Sequence, residues 1–237
     1  AELLARGLGG VLLLPAVILV FYLALEPYAR RIWPEMLISW TRLLSGGWRD
    51  QMVGLDVLLG AAMGGVIAML VLGGLLLGQA LGHQLARPYA AGLQLLLGLR
   101  FGFGRVLDQV LGSITFGLAC VLFLVLLRLL LRRPWAAGLA FTLLLTLPRA
   151  LVTEQPLWFA LPFQALISAA LVLLLLRLGL LAAVVSTTVA DLLLAFPAVG
   201  ELTGWKAAGT WLPAGVLAGL ALYGFATARR GRSDWTG

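Results

Sequence analysis

One stretch of this chain decides its fold. Residues 157–196 read LWFALPFQALISAALVLLLLRLGLLAAVVSTTVADLLLAF, and Arg177 and Asp191 are the only charged residues among them. As one unbroken α-helix the stretch would be about 60 Å long, twice the roughly 30 Å hydrocarbon core of a bilayer. We therefore predict two membrane-spanning helices, 157–176 and 178–196, joined by a very tight hairpin around Arg177 and Gly179.

Apolar runs of similar length recur on both sides of this stretch. They predict further spans at 7–25, 57–77, 111–131, 135–152 and 207–226. The run at 135–152 is the weakest, because Pro148 and Arg149 interrupt it. The predicted fold class is all-α: residues 1–237 form a single domain, a polytopic transmembrane bundle of six to seven spans.

The composition agrees with a lipid-embedded chain. Hydrophobic residues make up 62% and charged residues 11%, with a mean hydropathy of +1.03, whereas about 25% of the residues of soluble domains are charged. The net charge is +7, but the 17 lysines and arginines are spread between apolar runs instead of gathering on one face. This distribution argues against a nucleic-acid partner and indicates a bilayer as the main one.

The basic residues also predict an orientation. In a seven-span topology, one side of the membrane collects Arg30, Arg31, Arg42, Arg49, Arg128, Arg132, Arg133, Arg177, Arg229, Arg230 and Arg232, and the other side collects Arg6, Arg87, Arg100, Arg105, Arg149 and Lys206. Cytoplasmic loops are enriched in basic residues. We therefore expect a multi-pass protein of the cell membrane, with the N-terminus outside and the C-terminus in the cytoplasm.

The connection after the first predicted span contains an amphipathic segment at 34–45. Pro34 suits the first position of a helix. At helical spacing, one face carries Glu35, Ser39 and Arg42, and the opposite face carries Leu37, Trp40 and Leu44. This pattern predicts a helix that lies in the membrane interface.

The tryptophans and arginines of this segment support an interfacial position. Trp33, Trp40 and Trp48 match the aromatic belt at the level of the lipid headgroups. Arginines such as Arg42 can attract anionic lipid, at about 1 kcal/mol each. Two interpretations stay open: a simple connector pressed on the membrane, or a lever that transmits motion to a cytoplasmic domain.

The chain lacks the residues that most enzyme sites require. It has one histidine, His83, and one cysteine, Cys120. A metal centre needs several such ligands close together, and intramembrane proteolysis needs a catalytic dyad or a metal site within the spans. We therefore predict no catalytic site, no metal and no cofactor in this chain.

Asp191 is the best candidate for an intramembrane polar site. A carboxylate inside an apolar span costs a few kcal/mol, so it must face the bundle interior, find a partner or take up a proton. Thr187 and Thr188 precede it by about one turn. The three residues either line a path for an ion or substrate, take part in sensing, or serve structure, with Asp191 paired to another helix or to an arginine such as Arg149.

The glycines predict close helix packing. The chain has 29 of them, and Gly60 with Gly64, and Gly74 with Gly78, are four residues apart. Small residues at this spacing let two helices approach closely, within one chain or in a homodimer.

Several stretches resemble a known family. YLALEPYARRIWPEMLISWTRLL at 22–44, followed by RD at 49–50 and GLDVLLG at 54–60, resembles the C-terminal membrane region of a group of bacterial eukaryotic-like serine/threonine protein kinases. The later pieces LRLGLL at 176–181, LAFP at 194–197 and ALYGF at 221–225 resemble it too, so the resemblance covers nearly the whole chain.

The resemblance implies a longer polypeptide in a bacterial inner membrane, in which a cytoplasmic kinase domain is followed by further membrane and extracytoplasmic segments and then by this bundle. This order fits a sequence that starts at Ala1 without methionine. ATP and magnesium would belong to that domain, since none of the kinase motifs occurs here. The first functional hypothesis is thus a membrane anchor or sensor module for a kinase. The alternatives are a small transporter or permease subunit with its path near Asp191, and a structural bundle that assembles with another membrane protein.

Overall fold

A computed structural model describes residues 33–82, 99–152, 155–195 and 207–230, with a few single positions between 16 and 28. The first predicted span, 7–25, lies for the most part outside the described residues. A 3₁₀ turn at Pro34–Leu37 leads into seven α-helices in the described ranges: α1 (Ile38–Leu44), α2 (Gln51–Ala80), α3 (Leu99–Leu131), α4 (Pro134–Val152), α5 (Leu157–Leu178), α6 (Leu180–Leu194) and α7 (Ala207–Arg230).

The chain is an all-helical, multi-pass membrane protein. Helices α2, α3, α4, α5 and α7 are long and apolar enough to cross a membrane. They include the weakest predicted span, because α4 continues through Pro148 as one helix; neighbouring helices make prolines tolerable in membrane spans. The structure supports five of the predicted six to seven spans.

The predicted span 178–196 has a different character. It forms α6, whose 15 residues are about 22 Å long at 1.5 Å per residue, shorter than the hydrocarbon core. Eleven of these residues are buried, on all sides of the helix. A helix that is apolar all round belongs in a core. Helix α6 is accordingly the centre of the bundle, packed against α2, α3 and α5 and also touching α1 and α7.

A single residue, Gly179, reverses the chain between α5 and α6. Its φ is +92°, a value that residues other than glycine rarely adopt. A methyl group at this position would also lie 2.6 Å from the Met36 carbonyl oxygen. Both the turn and the close approach of another backbone require glycine here, and the hairpin is as tight as the sequence predicts.

The glycines of α2 face inward. A methyl group at Gly60 would lie 2.6 Å from the Ala182 carbonyl oxygen, and one at Gly64 would lie 2.6 Å from that of Ser186. Gly74 and Gly78, further along α2, lie against the aromatic rings of α5 at Phe163 and Phe159. All four glycines are buried within the chain, so they bring α2 against α6 and α5 of the same molecule.

Residues 33–44, here called the end plug, close one end of the bundle. Met36 and Leu37 are 2% and 3% exposed, and Trp40 is also buried. The structure corrects the predicted interfacial helix at 34–45 in two respects: Ser39, assigned to the polar face, is buried, and Leu44, assigned to the apolar face, is 61% exposed. The difference arises because the segment packs against α2, α5 and α6.

The plug end of the bundle is strongly basic. The guanidinium of Arg128 lies 4.4 Å from the centre of the Trp33 ring. Helices α2 and α4 begin at this end, and α3, α5 and α7 end there. The described arginines at or near these helix ends and in the plug are Arg42, Arg49, Arg128, Arg132, Arg133, Arg177 and Arg229. Arg105 and Arg149 lie towards the opposite end.

Candidate polar cavity around Asp191

Helices α2 to α6 together line a partly open cavity of about 370 Å³ near the end opposite the plug. At roughly 30 Å³ per molecule this is room for about a dozen waters. Its polar lining consists of Gln109, Ser113, Arg149, Gln164, Thr187 and Asp191. Its apolar lining includes Ile67, Val71, Phe116, Ile167, Leu171 and Leu194. A cavity with this mixture inside apolar spans has the character of a small-molecule site.

Asp191 is held by a residue that the sequence pattern did not single out. The Nε2 amide of Gln109 donates a hydrogen bond of 2.6 Å to Asp191 Oδ2. The same amide lies 3.5 Å from the Ser113 hydroxyl. A hydrogen bond to an ionised acceptor is stronger than a neutral one and offsets part of the cost of burying the carboxylate. The signal that could have found Gln109 is its place four residues after Arg105 and four before Ser113, which makes a polar stripe along α3.

Arg149 shares the cavity with Asp191 but does not pair with it directly. Its guanidinium lies 5.5 Å from the centre of the Phe116 ring, and it forms no salt bridge within 4 Å in the described part of the chain. Its charge still acts on Asp191 across the cavity. Direct pairing of Asp191 with Arg149, one of the structural alternatives, is therefore not seen: the two charges line the same cavity separately, Arg149 on α4 and Asp191 on α6.

The two candidate threonines differ in position. Thr187 lines the cavity, and its hydroxyl donates back to the Ala183 carbonyl at 3.0 Å. Thr188 is buried away from the cavity, and its hydroxyl donates to the Val184 carbonyl at 2.8 Å. Such bonds to the preceding turn satisfy a hydroxyl in an apolar environment. The structure thus brings Thr187, and not Thr188, to the site of Asp191.

The cavity ends within the bundle. Towards the plug, the space between Phe116, Cys120, Phe141, Leu175 and Ala183 is too small to hold a water molecule. Leu118, Leu124 and Leu180 are also fully buried in this half. In this conformation a packed apolar layer therefore separates the cavity from the basic end.

A second acid, more deeply buried than Asp191, lies at that basic end. Asp56 is 7% exposed on α2, and the Ser39 hydroxyl of the plug is its hydrogen-bonding neighbour. The sequence analysis missed this residue because the predicted span began at position 57, one residue later. The Ser39–Asp56 contact joins the plug to the first part of α2.

The remaining plug residues have defined surroundings. Glu35 is exposed, while the indole N–H of Trp40 is buried and has no acceptor among the described atoms. The guanidinium of Arg42 lies 2.6 Å from Asp50 Oδ2. The pKa of Asp50 lies below its usual value because its carboxylate accepts the Met52 backbone N–H and the Arg42 guanidinium.

Comparisons of the chain with family models, with curated proteins and with solved structures found no match. Across the described ranges, no three His, Cys, Asp or Glu side chains come together in an arrangement that could hold a metal ion. The geometry of the cavity and of the plug is therefore the basis for any functional proposal.

Proposed function

We propose that this chain is the membrane sensor module of a larger polypeptide, and that a small polar solute bound in the cavity around Asp191 changes how the end plug packs. The observation that carries the proposal is the position of α6. This central helix lines the cavity through Thr187 and Asp191 and begins beside the end plug at Gly179.

Helix α6 is suited to link the two ends. Asp191 lies eleven positions after Leu180, about 16 Å along the helix axis. Leu180 is fully buried, and the backbone at Gly179 meets the Met36 carbonyl. Because packed interiors are stiff, a small shift of α6 at the cavity displaces its other end against the plug.

The resemblance supplies the proposed readout. The plug lies inside the stretch 22–44 that resembles the membrane region of bacterial serine/threonine kinases. The basic end corresponds to the cytoplasmic side by the charge rule for membrane proteins. In this proposal the C-terminus is cytoplasmic and the kinase domain, with its ATP and magnesium, lies on the plug side. Anionic lipid would lie near the exposed arginines Arg132, Arg133 and Arg177.

A transporter is the second candidate, and the polar cavity inside the spans is the observation that favours it. Transport through Asp191 would require the apolar layer around Phe141 and Leu175 to open. A cavity closed at one end fits binding more directly than permeation. For a transporter, Asp191→Asn would abolish solute flux in proteoliposomes while the protein stays folded, and unchanged flux would contradict this candidate.

Two measurements test the sensor proposal. The reading frame upstream of Ala1 should encode, in the same polypeptide, a glycine-rich loop with its strand lysine and an Asp-Phe-Gly motif. The autophosphorylation rate of that full polypeptide in lipid vesicles should then differ about fivefold or more between the wild type and Asp191→Asn. A fivefold change is at the lower end of typical allosteric coupling.

The control for this measurement is Gln79→Ala. Gln79 lies near the same end of the bundle, its side chain is exposed, and it lies outside the cavity lining. Its substitution should leave autophosphorylation unchanged. Equal activities in the two variants, or an upstream frame without kinase motifs, would refute the kinase-sensor proposal.

A further inference from the structure

We propose that the solute taken by the cavity is a small zwitterion, with one ammonium group, one carboxylate and a short aliphatic chain, as in an apolar α-amino acid. This inference rests on the proposed function and specifies its ligand. It starts from two opposite charges that line the same cavity, Arg149 of α4 and Asp191 of α6.

Arg149 is placed to receive a carboxylate. Its described partner is the face of the Phe116 ring, and no acidic oxygen in the described ranges lies within 4 Å of it. A guanidinium that stacks on an aromatic ring keeps the N–H groups at its edge free to bind a carboxylate through two bonds. Arg149 therefore presents an unused anion-binding edge at the cavity.

Asp191 is placed to receive the ammonium group. Gln109 binds one of its two oxygens, Oδ2, and a carboxylate can accept further hydrogen bonds. Gln164, on the wall formed by α5, makes no hydrogen bond to another described residue and adds a free amide to the cavity. Both charged ends of a zwitterion would thus find donors or acceptors that the protein leaves available.

The same charges select against simpler ions. A plain anion at Arg149 would face the Asp191 carboxylate, and a plain cation at Asp191 would face Arg149 and the nearby Arg105. Charges interact strongly in a low-dielectric interior, so these unfavourable contacts are costly. A zwitterion presents the opposite sign to each wall and is favoured at both.

The rest of the lining fits an aliphatic chain. Ile67 and Val71 on α2, and Ile167 and Leu171 on α5, form the apolar part of the cavity. The volume of about 370 Å³ lies at the lower end of ligand-binding pockets, which span about 300–1,000 Å³. This combination favours a small ligand with an aliphatic side chain.

The test is calorimetric titration of the full chain in lipid nanodiscs with three matched compounds. L-leucine carries both charges, 3-methylbutylamine lacks the carboxylate, and 4-methylpentanoate lacks the ammonium group. Leucine should bind saturably. Each single-charge analogue should bind at least about tenfold more weakly, because it loses one charge-assisted contact with the protein. Absence of leucine binding, or equal affinities for the three compounds, overturns the zwitterion site.

Variants locate the binding. Arg149→Gln and Asp191→Asn should each weaken leucine binding at least about tenfold. Arg229→Gln is the control and should bind leucine normally. Arg229 also lies over an aromatic ring, 5.4 Å from the centre of Phe225, but on α7 and outside the cavity. Equal losses in cavity and control variants contradict the assignment.

The two proposals fail separately. If leucine does not bind while Asp191→Asn still alters autophosphorylation, the sensor function stands and the zwitterion is wrong. If leucine binds while Asp191→Asn leaves autophosphorylation unchanged, the binding site stands and the sensor function is wrong.

Discussion

The Gln109 amide donates to the Asp191 carboxylate across 82 positions of sequence, at 2.6 Å. This bond joins α3 to the central helix α6 at the wall of the cavity. Because the carboxylate lies among apolar side chains, the hydrogen bond both fixes its orientation and lowers the cost of keeping it there.

Loss of the amide should destabilise the fold. Gln109→Leu leaves the half-buried carboxylate of Asp191 without its donor, and we expect the free energy of unfolding to fall by about 1–3 kcal/mol. The measurement is an SDS titration of the detergent-solubilised chain. Gln164→Leu is the control, since that amide lines the same cavity without a described hydrogen bond. Equal effects of the two substitutions would show that the bond contributes nothing.

Adjacent glycines of α2 should respond oppositely to alanine. A methyl group at Gly64 would lie 2.6 Å from the Ser186 carbonyl oxygen, whereas one at Gly65 meets no atom within 4 Å. Gly64→Ala should therefore destabilise the bundle by about 1–3 kcal/mol through overpacking. Gly65→Ala should be neutral or slightly stabilising, because alanine favours helix more than glycine does. Thermal melts in detergent compare the two, and similar melting temperatures would contradict the close approach of α2 and α6.

Gly179 and Gly46 form a second matched pair. Both have positive φ, +92° and +90°, but only Gly179 lies against another backbone, the Met36 carbonyl. Gly46→Ala should cost about 1 kcal/mol of strain. Gly179→Ala should cost clearly more, because it also forces the plug away from the hairpin. Hydrogen exchange of residues 36–44 reads out this displacement; faster exchange is expected only in Gly179→Ala.

Stability below neutral pH should depend on Asp50. Since its pKa in the folded chain is lower than its usual value of 3.8, its ionised form stabilises the fold above about that pH. This contribution is lost as the pH falls through the lower folded-state pKa. Asp50→Asn retains an oxygen for the Met52 N–H but removes the charge opposite Arg42. The wild type should exceed the variant in stability at pH 6, and the difference should shrink as the pH falls below about 3.8. If the difference in stability between the wild type and Asp50→Asn did not change with pH, ionisation of Asp50 would not contribute to stability.

Much of the bundle could be predicted from local sequence, for reasons that particular segments illustrate. Residues 57–77 and 111–131 are long apolar runs, and only a bilayer can cover so many of them. The hairpin at Gly179 followed from a length argument alone. Pro148 made the span at 135–152 look weak, although α4 continues through it as one helix. Contacts of α4 with α3 and α5 stabilise this helix, and the sequence around the proline does not show them.

The sequence by itself determined an all-helical membrane chain, the approximate place of its helices and Asp191 as an acid in an apolar setting. Hydrophobicity and helix length are local properties, so they can be inferred directly from the amino-acid sequence. Tertiary structure alone decided that α6 lies at the centre, that Gln109 and not Arg149 binds Asp191, and that the segment 33–44 closes the bundle. These outcomes depend on which helix faces meet, and that choice is made by packing between residues far apart in sequence.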